Sequence, residues 1–160
     1  SEATRVWDAI VETGAPEGVR PCGLGARDSL RLEMAYRLYG NDMDEQTSPL
    51  EAGLAWVVKL DKGEFSGREA LRRQKEAGLS RKLVGFTLTD ASAPPPEECH
   101  LVVRGADIVG RVTSAVRSPV LGKVVGLAYV APDQAEPGKS FDIKVGRGRV
   151  TQAQVIDPLL

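Results

Sequence analysis

The chain has 160 residues, 42% of them hydrophobic, and a formal net charge of -1. That is the size and composition of one globular domain or two small ones, enough to bury a core without a metal or disulfide staple, and near neutrality excludes a strong general affinity for nucleic acid. No apolar run approaches the roughly 18 residues of a membrane span and no charged-then-apolar leader opens the chain, so neither nucleic acid nor membrane is expected as a partner.

Residues 3–13 carry Val6, Trp7, Ile10 and Val11 at i, i+1, i+4 and i+5, a stripe that predicts an amphipathic helix. Gly14 ends it, with Pro16 just beyond. No Met opens the chain and the helix starts at once, so the N-terminus reads as cut into. The stripe is expected to pack on the rest of this chain or on something upstream. Gly23-Leu24-Gly25 then gives a tight entry to a helix over 26–34 built from good helix formers. A dinucleotide cradle would need its third glycine at Asp28, where a carboxylate would repel a pyrophosphate, and that reading is rejected. Arg27, early in this helix, either projects into a cleft or pairs with Asp28, Glu33 or another acid and ties the helix down. Arg31, one turn on, reads as structural.

Asp42-Met43-Asp44-Glu45 lacks the glycine and terminal glutamate of a calcium loop and is expected to be a solvated acidic loop. Ser48-Pro49-Leu50-Glu51 is a capping box with Pro at the first helical position, predicting a short helix over 49–54 and then a strand over 55–60. Ser66-Gly67-Arg68-Glu69 is a second capping box, opening a surface helix over 68–77 that Gly78 closes. Its basic run is expected to be a solvated face.

Beyond Gly78 the texture changes. Residues 82–88, 100–103, 107–116, 123–130, 140–145 and 150–156 are strand-like and separated by Gly, Pro and Asp turns. Short strands at this spacing predict a small antiparallel β-barrel or sandwich. The fold class is therefore α+β, with an α-rich part over 1–78 and a compact β domain over 79–160. Cys22 and Cys99 form no CxxC or CxxH pair, so structural zinc is not expected. Free thiols in a cytoplasmic protein are favoured over a disulfide between them. His100, the single histidine, is read as a strand-end residue, which leaves no triad, dyad or multi-histidine metal site.

Gly23-Leu24-Gly25-Ala26-Arg27-Asp28-Ser29-Leu30-Arg31-Leu32-Glu33 resembles a signature of the aminomethyltransferase family, the T-protein of the glycine cleavage system. Leu38-Tyr39-Gly40-Asn41-Asp42-Met43-Asp44-Glu45, Ser48-Pro49-Leu50-Glu51-Ala52-Gly53-Leu54, Phe65-Ser66-Gly67-Arg68-Glu69-Ala70-Leu71, Gly110-Arg111-Val112-Thr113-Ser114 and Gly126-Leu127-Ala128-Tyr129-Val130 are similar to the segments that follow it. Members of that family are more than twice as long and form a three-lobed ring around tetrahydrofolate. The resemblance therefore implies the C-terminal portion: the end of the folate-binding lobe, then the C-terminal barrel. It places the family's catalytic aspartate and pterin-holding glutamate upstream, leaving no catalytic residue in this chain. It makes Arg27 the pterin-contacting arginine and Tyr36 a pocket tyrosine, a position that is aliphatic in some members.

The implied reaction moves a one-carbon unit from an aminomethyl-lipoyl carrier protein (H-protein) to tetrahydrofolate with release of ammonia. Such a reaction needs orientation and electrostatics more than a protein nucleophile. The implied partners are that carrier and the missing N-terminal part. The chain alone is expected to be inactive and, with apolar surface uncovered, to self-associate. Relatives with the same architecture serve as folate modules of sarcosine or dimethylglycine dehydrogenases or as demethylases, and a non-catalytic folding fragment is the third reading. A branch that assists iron–sulfur proteins carries a cysteine where this chain has Glu64, in Lys62-Gly63-Glu64-Phe65, which argues against a thiol role.

Overall fold

A computed structural model describes residues 1–157. Three α-helices precede the barrel: α1 (Glu2–Gly14), α2 (Leu24–Glu33) and α3 (Arg68–Ala77). Six strands follow: β1 (Lys82–Leu88), β2 (Leu101–Arg104), β3 (Asp107–Arg117), β4 (Val124–Val130), β5 (Ser140–Lys144) and β6 (Val150–Ile156). They close into an antiparallel barrel in the order β1-β4-β3-β2-β5-β6, with β6 returning to β1. Of the two β architectures compatible with the sequence, the closed barrel is the one formed. Closure leaves no unpaired strand edge to recruit another chain. Among the described residues no helix is long and apolar enough to cross a membrane.

The strands alternate as a half-buried sheet requires. Val84, Phe86 and Leu88 of β1 join Val102, Val112, Val124, Ala128, Val130, Phe141, Ile143, Ala153 and Val155 in one interior core. Phe86 and Phe141 meet there edge to face, centroids 5.7 Å apart, a geometry that contributes about 0.5–1.5 kcal/mol beyond area burial. The intervening residues Leu83, Val125, Leu127 and Tyr129 point outward, yet they are buried too, under Leu32 and Ala35 of the α2 segment. That is why β4 reads Val-Val-Gly-Leu-Ala-Tyr-Val with no polar alternation: every residue in it is buried.

Where the chain departs from the sequence reading, the causes are local. The capping box at Ser48 forms, with Ser48 N–H on Glu51 Oε2 at 3.0 Å and Glu51 N–H on Ser48 Oγ at 3.2 Å. No helix over 49–54 follows, because Gly53 adopts φ +70° and closes the turn at once. Leu54 N–H reaches Pro49 O and Gly53 N–H reaches Leu50 O, the paired bonds of a helix C-cap. The strand expected over 55–60 is instead a single 3-10 turn at Ala55–Val57. A strand needs a neighbour, and the closed barrel has no edge left to pair with it. The second capping box does not form: α3 starts on Gly67 without a side-chain cap. Arg68 anchors this start, its Nε on Leu60 O and its Nη1 on Glu64 Oε1, both at 2.6 Å.

α1 forms as its periodicity predicts, with its stripe of Val6, Trp7 and Ile10 more than half exposed. At its C-terminal end the Val19 side chain closes against Gly14.

Two glycines, Gly110 on β3 and Gly126 on β4, lie where a Cβ would meet the neighbouring strand's backbone. A Cβ on Gly110 would stand 1.9 Å from Tyr129 O on the neighbouring strand. Gly110→Ala must therefore separate β3 from β4, and a loss of about 2 kcal/mol or more is expected, read as a lowered urea midpoint. An unchanged midpoint would show that the two strands are not held at this spacing.

Candidate functional site

The site is organised where α2, the following loop and the outer face of β3 and β4 converge. α2 ends in the same paired-bond cap, here with Ala35 at φ +51° in the position glycine usually takes. Tyr36 N–H reaches Arg31 O at 2.7 Å and Ala35 N–H reaches Leu32 O at 3.0 Å. This turn brings the loop back across the helix and delivers Asp42 to the face of the barrel.

Asp42 is fully buried. Its Oδ2 accepts from Arg31 Nη1 and from Leu38 N–H, each at 2.8 Å, and its Oδ1 accepts from the hydroxyls of Thr113 at 2.5 Å and Ser114 at 2.7 Å. Four donors fill the acceptor positions of an ionised carboxylate. The Tyr129 hydroxyl also donates to Asp42 O at 2.9 Å. Arg31 is equally engaged: Nε on Asp28 Oδ1 at 2.9 Å, Nη1 also on Tyr36 O at 3.2 Å, and Nη2 on Ser114 Oγ at 3.0 Å. The expectation that Asp42 belongs to a solvated loop is thus corrected. Only its neighbours fit it, Asp44 and Glu45 being exposed. The structural reading of Arg31 holds.

Two further links fix this segment to the barrel. Ser118 donates to Glu33 Oε1 at 2.6 Å and accepts from Leu121 N–H at 2.9 Å, tying the end of α2 to the β3–β4 turn. Arg81 places Nε on Glu51 Oε1 at 3.0 Å and stacks over the Tyr129 ring, 4.7 Å from its centroid. Burial by itself would raise the Glu51 carboxyl, but the Ser48 N–H and Arg81 together outweigh it and hold the group below its ordinary value of 4.5. Arg37, on Ala52 O and Ala35 O at 2.9 and 3.0 Å, is pushed below the ordinary arginine range by burial, with the nearby Asp42 charge opposing.

The residues singled out from the sequence lie on the outer side of this network. Arg27 is exposed on α2, and no hydrogen bond or ion pair reaches its guanidinium among the described residues. Asp28 is taken by Arg31 and Glu33 by Ser118, so neither proposed tethering acid holds Arg27. Arg27, Leu30 and Met34 follow one another at i, i+3 and i+7 along a single exposed stripe. Tyr36 is 62% exposed just past the helix end. A fork of five donors beside open apolar surface can meet the acceptors of a flat ligand. His100 lies at the entry to β2, its Nδ1 accepting from Glu97 N–H at 3.0 Å, and both cysteines are free and exposed. Asp42 is the residue that sequence reasoning missed. The available signal was Arg31, an arginine assigned a structural role with no acid assigned to meet it.

Fold and site together define an α+β protein whose helical segment is latched to a closed barrel by a buried arginine–aspartate pair. The family model described as the GCVT N-terminal domain matches residues 1–62, and that of the glycine cleavage T-protein C-terminal barrel domain matches residues 81–160. An aminomethyltransferase of Halothermothrix orenii is 49% identical over 155 residues, covering 97% of this chain and 43% of that protein. One from Porphyromonas gingivalis is 46% identical over 160 residues, covering 98% and 43%. A crystal structure of glycine cleavage system aminomethyltransferase T from Bartonella henselae aligns with a TM-score of 0.84 at 29% identity, covering 94% of this chain and 42% of that one. The chain belongs to the glycine cleavage T-protein family, and it spans less than half the length of the relatives it matches.

Two stability measurements follow. Asp42→Asn strands Arg31 beside donors that no longer face a charge, and a loss of about 3–5 kcal/mol is expected. Arg27→Ala removes an exposed group with nothing bound to it and is expected to stay within about 0.5 kcal/mol. Urea unfolding of both variants checks the contrast, and equal losses would refute this division of roles. Glu51 gives a pH dependence of known sign. Its carboxyl is depressed in the folded state, so its contribution is complete above 4.5 and is lost as pH falls through the lower folded value. Glu51→Gln is therefore expected to flatten the acid limb of the stability profile, and a parallel limb would refute it.

Proposed function

We propose that this chain forms the C-terminal portion of a tetrahydrofolate-dependent aminomethyltransferase, one that transfers a one-carbon unit from an aminomethyl-lipoyl carrier protein to tetrahydrofolate and releases ammonia. The division into a folate-lobe segment over 1–78 and a barrel over 79–160, and a cytoplasmic setting, belong to the same proposal. The observation that carries it is the 49% identity to an aminomethyltransferase across 97% of the chain, taken with a Gly23–Glu33 segment that leaves Arg27 open to solvent.

In this reading Arg27 binds and orients. Its guanidinium stays cationic and presents parallel donors, which suits a pterin carbonyl and adjacent ring nitrogen. Tyr36 adds an aromatic edge with a polar tip beside it. Tetrahydrofolate supplies the amines that accept the one-carbon unit. The chain holds one wall of the cleft and contributes positioning rather than a nucleophile. The acid and glutamate that complete the site belong to upstream lobes, so the chain by itself is inactive.

Calorimetric titration of the chain with tetrahydrofolate tests this. Saturable binding is expected, weakened by about 1–3 kcal/mol in Arg27→Ala and by less in Tyr36→Ala. Binding that Arg27→Ala leaves unchanged would remove the arginine from the site. An intact protein that captures formaldehyde on folate but ignores an aminomethyl-lipoyl carrier would instead identify a dehydrogenase-linked module.

A further inference from the structure

We infer that Asp42 is a positioning residue for Arg27. It touches no ligand, yet through Arg31 it sets the orientation of the free end of α2 and with it the affinity of the Arg27 site. The inference rests on the proposed role of Arg27 in folate binding.

Among the described residues, α2 is held at one end only. Its C-terminal half is fixed three times: Arg31 on Asp42 and Ser114, Leu32 in the outer core, and Glu33 on Ser118. Its N-terminal half overhangs. Gly23 caps it without a side-chain bond, a Cβ on Gly23 or Gly25 would meet nothing within 4 Å, and Leu24 is 79% exposed. Arg27 stands on that overhang one turn before Arg31, about 6 Å along the axis.

The three anchors do different work. Leu32 packs on apolar neighbours and tolerates sliding, because dispersion contacts are not directional. A guanidinium fixed by hydrogen bonds at Nε, Nη1 and Nη2 to partners on α2 itself, the loop and β3 does not tolerate rotation. Asp42 makes this fixation unique, since its own oxygens are oriented by Leu38 N–H, Thr113 and Ser114. The path Ser114–Asp42–Arg31–Asp28 runs from the barrel wall to the residue directly beside Arg27. A buried carboxylate so fully engaged exceeds what attachment alone needs, since Leu32 and Glu33 already attach the helix.

The test is a double-mutant cycle read by calorimetric titration of the chain with tetrahydrofolate: unaltered, Arg27→Ala, Asp42→Asn and the double variant, each with its folded fraction measured by circular dichroism. Asp42→Asn is expected to raise Kd roughly tenfold. The double variant is expected to bind no more weakly than Arg27→Ala alone, because the loss passes through Arg27. A merely structural role would lower the number of binding-competent molecules and leave the Kd of the folded ones unmoved. Ser114→Ala, which removes one bond each from Arg31 and Asp42, is expected to give a smaller loss with the same coupling, and it carries the test alone should Asp42→Asn fail to fold. If Arg27→Ala weakens binding while Asp42→Asn and Ser114→Ala bind as the unaltered chain does, or if the losses simply add, the inference is overturned and the folate reading stands. If the unaltered chain does not bind, the inference is overturned, because α2 as Asp42 holds it then presents no site of its own; if Arg27→Ala changes nothing, the assigned role of Arg27 falls and takes the inference with it.

Discussion

The structure turns on one buried carboxylate. Asp42 brings a negative charge into full burial, which water would strongly oppose unless every lone pair were met. Arg31, Leu38, Thr113 and Ser114 meet them, drawn from a helix, a loop and a barrel strand. Because no one element can satisfy the carboxylate, all must be in place together. The loop over 36–47 has little regular structure, yet Asp42 ties it to both α2 and the barrel. Tyr129 adds to this by reaching the Asp42 carbonyl from β4 while Arg81 lies over its ring.

The barrel makes that convergence possible. Its interior is apolar and its strands leave no free edge, so it folds around its own core. The outer face of β4 is a second apolar surface, and the α2 segment covers it. Hydrophobic burial thus brings helix and barrel together without directional preference, and the polar network selects one arrangement among those that burial permits. The same logic accounts for what is left outside. Arg27, Leu30, Met34 and Tyr36 lie on the side of this segment that the barrel does not reach. That uncovered side is where the proposed function puts the ligand. Family members are more than twice as long as this chain, and in the proposed reading an unpaired arginine on open apolar surface is the half of a cleft that this chain supplies.

Much of this was legible from residue order alone. Turn residues bounded all six strands, and alternation marked those with one solvated face, whereas β4, buried on both faces, showed only as an apolar run. The amphipathic periods of α1 and α3 and the glycine-led entry of α2 determined the helices, and the motif over 23–33 determined the family before any contact was known. Tertiary structure decided the rest. The Ser48 capping box formed, but the left-handed Gly53 ended its helix after one turn. Residues 55–60 had the composition of a strand and found no open edge to pair with. Asp42 looked like one of several solvent-facing acids because the hydroxyls that bury it lie 71 and 72 residues further along the chain. Local pattern sets which elements a segment can form. Whether a charge is exposed or buried depends on partners that only folding brings within hydrogen-bond reach.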